Sequence, residues 1–324
     1  MKHLALFVLL VSFFSCETEV KNSKLSGDVF GTTYSIIYNS EVSYKTQFDS
    51  LFTVINNSMS TYQDHSIISK LNRNELNVVD AHFIKVFEAS KEIYKETKGA
   101  FDPTIGAVVN AWDFGPEGKI VNLDSLKIDS LMVSVGLSKV SRNQDQILKP
   151  QGTFIDFNAI AKGYGVDVIG AFLESQNISN YLVEIGGEIR TRGVNAEKKS
   201  HWKVGVERPN FEGEQSIFEV VTLNNEAMAT SGTYRKFKVD ENGNRYAHII
   251  DTKTGYPSKT NLLSISVIAE DCMTADAYAT AFKAMGLENV KSFLKSHPEL
   301  KVFLIFENDN QELETLALNG FPEK

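Results

Sequence analysis

Three stretches of the 324-residue chain carry side chains whose types and spacing suit phosphate or proton chemistry. In the first, DCMTADAYATAFKAMG, Asp276 and Thr280 stand four apart, which on a helix places both on one face a turn apart. A carboxylate and a hydroxyl are hard oxygen donors, the kind Mg2+ takes alongside water and substrate phosphates. The same residues also suit a plain helix start, with Thr274 as cap and Asp276 as a first-turn acid complementing the dipole. In the second, DFNAIAKGYGVD from Asp156 to Asp167, a strand end, a turn and a helix opening near Ala159 are expected. Backbone groups at such a junction can face a phosphate or a metal. Gly163 and Gly165 inside that helix cost about 1 kcal/mol each against Ala, so either a ligand or a neighbouring element comes close there. The third is His248 in AHIID, ahead of the turn TKTGYP. Histidine titrates near neutrality and suits proton removal from a hydroxyl, although a lone strand histidine is commonly structural. The strings EIGGE (184–188) and ATSGTY (229–234) fit tight turns and match neither a P-loop nor a dinucleotide-binding fingerprint.

The elements that must position these groups begin behind an export signal. Met1-Lys2-His3, an apolar run over residues 4–14 and then Ser15-Cys16 have the layout of a secretory signal. The eleven residues of that run fall short of the roughly 20 that a membrane-spanning helix needs. Cleavage before Cys16 is expected, with residues 1–15 as signal and Cys16 lipidated; several acyl chains together anchor firmly. Residues 16–26 are polar and aperiodic and read as a tether, with one domain over 27–324. If Cys16 carries lipid, only Cys272 remains, so no internal disulfide can form; Cys272 reads as a small buried hydrophobe. An apolar content of 42% fits a globular domain, and a net charge of −8 without a basic patch argues against nucleic acid.

Residues 28–38 read as one strand, and Phe48, Leu51, Phe52, Ile55 and Met59 fall at helical spacing. A helix is expected over 80–98, capped by Asp80 and stopped by Gly99, with a short one from Pro103 to Trp112. Strands at 153–157 and 180–185 flank a helix at 159–176. Short strands follow at 188–194, 202–208, 217–223, 246–250 and 262–269, then helices at 274–286 and 289–296 and a strand at 302–306. Helices and strands mix without strict alternation, which points to an α+β fold.

In order, GTTY (31–34), MSTY (59–62), GAFDPTIG (99–106), DFNAIAKGYGVD (156–167), EIGGEI (184–189), ATSG (229–232), HIID (248–251) and TADAYATA (274–281) resemble the ApbE family of FAD:protein FMN transferases. The likeness runs from about residue 27 to 300. It implies a T-fold-like α+β architecture with FAD in a cleft and one or two Mg2+ ions on its pyrophosphate. Carried over position by position, FAD contacts fall at Phe30, Tyr62, Ala100, Phe101, Asp102, Asp156, Lys162 and Ile250. The metal ligands fall at Asp276, the Thr280 hydroxyl and the Ala159 carbonyl, and the base at His248. Three positions depart from the family pattern: Phe30 stands where Met is frequent, Lys162 where some members carry an acid, and Thr252 where Pro is common.

The implied reaction is Mg2+-dependent transfer of FMN from FAD to a threonine hydroxyl of an acceptor protein, with AMP released. The implied setting is a membrane-anchored lipoprotein on the extracytoplasmic side, acting on an exposed part of a membrane redox complex. Two other activities fit the same residues: a Mg2+-dependent FAD pyrophosphatase giving FMN and AMP, and a non-catalytic flavin-binding lipoprotein.

Overall fold

The computed structural model describes residues 21–210, 216–234, 237–239 and 245–322. The expected signal segment and Cys16 lie outside these residues. In chain order the elements are β1 (Ser23–Val29), β2 (Thr32–Tyr38), α1 (Lys45–Met59), α2 (Ile67–Asn72), α3 (Ala81–Glu96), α4 (Gly106–Ala111) and α5 (Ser125–Met132). The short strands β3 (Ser141–Asn143) and β4 (Gln146–Leu148) precede α6 (Ala161–Ser175). Next come β5 (Tyr181–Ile185), β6 (Glu188–Arg192), β7 (Trp202–Glu207), β8 (Ile217–Leu223), β9 (Ala227–Gly232), β10 (Phe237–Val239) and β11 (Arg245–Ala247). The chain closes with β12 (Leu262–Ala269), α7 (Cys272–Met285), α8 (Leu287–Leu294), β13 (Lys301–Glu307) and β14 (Leu313–Leu318).

Eight strands form one antiparallel sheet in the order β1-β2-β5-β6-β9-β12-β13-β14. Every residue of β12 is buried, because both faces of the sheet are covered there. On one face, α6 lies against β5 and β6, and α7 against β9 and β12. On the other, the β7–β8 hairpin packs Val204, Val206, Val221 and Leu223 against Ile189, Met228, Ile268 and Ile305. The fold is α+β, as expected. Among the described residues no helix is long and apolar enough to cross a membrane.

Several expected boundaries move, each for a physical reason. The run 28–38 is two strands, because Phe30 and Gly31 turn the chain at φ +50° and +73°. Both φ values are positive, as a tight hairpin requires, and a bulky residue seldom adopts that conformation. The ordered sheet begins at Ser23, inside the stretch assigned to the tether. Residues 153–157 form no ladder beyond a bridge between Phe154 and Ile105. The Asn72 side chain takes the ladder's place, donating to the Ile155 carbonyl and accepting its N–H, each at 2.8 Å. ATSG belongs to β9, a sheet strand, and not to a turn. Helix α3 is capped by Asp80 as expected, its carboxylate accepting from Phe83 N at 2.8 Å. The cap of α7 is Asp271 and not Thr274; it accepts from both the N–H and the hydroxyl of Thr274.

Gly163 and Gly165 of α6 serve packing. A Cβ on Gly163 would sit 2.3 Å from the Cys272 carbonyl oxygen and 2.9 Å from Asp276 Cβ. One on Gly165 would meet the Phe30 ring at 2.8 Å. Close contact between elements, rather than a bound group, therefore explains both. Cys272 is fully buried, and desolvation pushes its thiol pKa well up, in keeping with a small apolar filler.

Candidate active site

Helix α7 runs beside α6 and over β9, and its residues 276, 280 and 284 share one face at four-residue spacing. That face lines a cavity of about 290 Å³ together with the segments before α4 and α6, the start of β6, the end of β9 and the 248–252 turn. Ala100, Phe101, Asp102, Asp156, Ala159, Lys162, His248, Ile250, Asp276 and Thr280 all line it. Ten of the twelve expected site residues thus meet in one place.

The remaining two lie outside the lining. Phe30 sits on the β1–β2 turn with its ring edge-on to Phe52 at 5.6 Å. Tyr62 follows α1 and is 58% exposed. Partial burial and then the charge of Asp156 raise its hydroxyl pKa, which ties it electrostatically to the cavity edge.

Asp276 is only 4% exposed, and no cation lies within ion-pair distance of it among the described residues. Its Oδ2 accepts the Gly163 N–H at 3.0 Å. Burial raises its pKa, against the opposing effects of the Lys162 charge and the Gly163 bond. In a helix the Gly163 N–H would go to the carbonyl four residues back, that of Ala159. It goes to Asp276 instead, and no hydrogen-bond donor reaches the Ala159 carbonyl among the described residues. The Thr280 hydroxyl lies 3.1 Å from Ser231 Oγ. A buried carboxylate without an ion-pair partner among the described residues, a freed carbonyl and a hydroxyl make a hard-oxygen donor set that fits Mg2+.

Other groups are committed to structure. Both oxygens of Asp102 are engaged, one by the Thr104 N–H and hydroxyl at 2.9 and 2.6 Å, the other by Leu137 N at 3.3 Å. Burial nevertheless raises its pKa. Asp156 accepts from Asn158 N at 2.7 Å and shapes the turn into α6. Lys162 is held by Glu188 at 2.5 Å. Burial alone would lower the Lys162 pKa, but Glu188 and then Asp276 keep it above the usual lysine range. Glu188 itself is pushed up to about 7 by burial. His248 is half-buried just after β11, its ring edge-to-face with Phe114 at 6.2 Å.

The ApbE family model matches residues 30–304. The chain belongs to the ApbE family. The FAD:protein FMN transferase of Haemophilus influenzae is 37% identical, the match covering 93% of this chain and 91% of that protein. The flavin transferase ApbE of Vibrio cholerae superposes with a TM-score of 0.83 at 32% identity, covering 92% of this chain and 97% of that one. The apo flavinyl transferase ApbE of Pseudomonas stutzeri superposes with a TM-score of 0.81 at 26% identity, covering 92% and 95%.

Within this ApbE fold, Glu188, Phe114 and Thr252 are among the cavity residues to which the sequence alone assigns no site role. Glu188 begins β6 directly after Gly186 and Gly187, whose positive φ values of 61° and 98° make the tight β5–β6 hairpin turn. The GGE string announces the turn but not the direction of the carboxylate. Thr252, where the family resemblance leads to an expectation of proline, donates its hydroxyl to the Gly99 carbonyl at 2.5 Å.

Proposed function

We propose that this protein is an FAD:protein FMN transferase that uses Mg2+ to move FMN from FAD onto a threonine hydroxyl of an acceptor protein, releasing AMP. One observation carries the metal-dependent part. The Ala159 carbonyl, stripped of its helical donor, lines the same cavity as the Asp276 carboxylate, the Thr280 hydroxyl and His248. The relatives' activity supports the flavin part.

When bound, Mg2+ supplies charge neutralisation at the diphosphate, which otherwise repels a nucleophile. Asp276, Thr280 and the Ala159 carbonyl would hold it. The chain's remaining work is to bind, orient and move a proton. Phe101 and Ile250 offer apolar surface to the dinucleotide, and Lys162 adds a cation on the cavity wall. His248 accepts the proton of the incoming threonine hydroxyl. The threonine oxygen forms a bond to the FMN-side phosphorus as the bond from that phosphorus to the bridging oxygen breaks. AMP departs with the bridging oxygen, leaving FMN on threonine as a phosphoester. The acceptor is an extracytoplasmic part of a membrane redox complex, and the enzyme reaches it as a lipoprotein anchored through Cys16.

The test combines purified protein, FAD, Mg2+ and a threonine-bearing acceptor. Transfer leaves a fluorescent acceptor band after denaturation, with AMP in equal amount. FMN and AMP without a band would make the protein a pyrophosphatase, and tight FAD binding without turnover would make it a binding module.

A further inference from the structure

Two carboxylates and one ammonium line the cavity side by side: Asp276, Glu188 and Lys162. Glu188 is 3% exposed, and its Oε1 lies 2.5 Å from Lys162 Nζ. Lys162 immediately precedes Gly163, whose N–H bonds Asp276, and the charge of Asp276 acts on the lysine. The ammonium thus feels both carboxylates but pairs with Glu188 alone; no ion pair joins Lys162 to Asp276 among the described residues. The second oxygen of Glu188, Oε2, is buried without a hydrogen-bond partner. An orphaned buried oxygen is unfavourable, and here the carboxylate's bonding is spent on Lys162.

We propose that Glu188 is a positioning residue: it holds the Lys162 ammonium away from Asp276 and so keeps the Asp276 carboxylate open to a divalent cation. The inference rests on the metal reading above. Strand β6 supports it, because the two-glycine hairpin turn fixes where Glu188 starts. Without Glu188, Asp276 is the remaining carboxylate whose charge acts on Lys162 among the described residues, and a lysine on Asp276 competes directly with Mg2+.

The experiment is a double-mutant cycle on the full chain, with Mg2+ affinity measured by calorimetry and by the Mg2+-dependent rise in melting temperature, without FAD. Glu188→Gln keeps the side chain's size and is expected to weaken Mg2+ binding at least about tenfold, the usual scale for partners behind a metal ligand. The same change made in a Lys162→Met background is expected to cost less than about threefold, because no lysine remains to intrude. Lys162→Met alone should bind Mg2+ at least as tightly as the unmodified protein. Equal losses from Glu188→Gln in both backgrounds would mean that the carboxylate acts only as a distant charge, and would overturn the proposal. Weaker Mg2+ binding by Lys162→Met would overturn it independently, and needs no Glu188 variant to fold. Failure of the unmodified protein to bind Mg2+ would remove the metal reading itself, a distinguishable outcome.

Discussion

Replacing Gly163 with Ala tests whether the α6–α7 contact holds the Asp276 carboxylate, the proposed metal ligand, in place. The added Cβ would lie 2.3 Å from the Cys272 carbonyl oxygen, 2.7 Å from its carbon and 2.9 Å from Asp276 Cβ. Ordinary contacts at such atoms begin near 3.4 Å, so the helices must separate by roughly 1 Å, and two of the three obstacles are backbone that cannot rotate away. Overpacking of this kind costs about 1–3 kcal/mol or more, offset by about 1 kcal/mol for Ala over Gly in a helix. The net loss is about 0–2 kcal/mol, a fall of up to about 8 °C in melting temperature. Separation also stretches the 3.0 Å bond from Gly163 N to Asp276 Oδ2, so Mg2+ affinity should fall by about tenfold or more. Gly165→Ala is the control. Its obstacle is the Phe30 ring, a side chain that can turn, and Mg2+ affinity should stay within about twofold. Thermal melts in EDTA and Mg2+ titration of the three proteins decide the matter. A Gly163→Ala protein that melts at the unmodified temperature and binds Mg2+ unchanged would refute the coupling between packing and site.

Asp276→Asn should lower Mg2+ affinity by more than about 100-fold, and AMP release from FAD should lose its Mg2+ dependence together with its rate. His248→Ala should bind FAD normally but release AMP about 10²–10⁴-fold more slowly; turnover at the unmodified rate would exclude it as the base. Lys283 is 1% exposed, and among the described residues its Nζ donates only to Thr260 Oγ1, at 2.6 Å. Desolvation lowers its pKa from 10.5 to about 8. Below pH 8 both folded and unfolded states carry the proton and the folded state bears the full burial penalty; from pH 8 to 10.5 only the unfolded state stays protonated, so stability rises with pH. Lys283→Met should therefore stabilise the protein by up to about 3 kcal/mol at pH 7, and melts at pH 7 and pH 10.5 should show the gain vanishing.

What could be read without coordinates depended on whether the cause of a feature lay nearby in the chain. Strand β12 is readable because its residues, LLSISVIA, are mostly apolar or small and carry no charge, as burial of the whole strand requires. The Asp80 cap and the Gly99 stop, at φ +83°, act on their own neighbours. The 276/280 pair was placed on one helical face by spacing alone, whereas gathering His248, Lys162 and Asp102 around it rested on family likeness. Features set by distant partners were not legible. Asn72 replaces a ladder for Ile155, 83 positions away. Phe30 takes a conformation that its residue type does not announce. The partner of Lys162 lies across a helix–sheet interface, so its identity depends on the register of β6.

The turn after His248 is fastened to the opposite wall twice. Thr252 bonds the Gly99 carbonyl, and Trp112 Nε1 bonds the Gly255 carbonyl at 2.9 Å. These ties join stretches some 150 positions apart, and hold the 248–255 segment to the residues just before and just after α4. On the proposed function, a dinucleotide entering the cavity passes beside this joined pair of segments. A proline at 252 has no hydroxyl to offer Gly99 and would leave only the indole clasp. Relatives built that way should admit bulkier flavin analogues than this protein does.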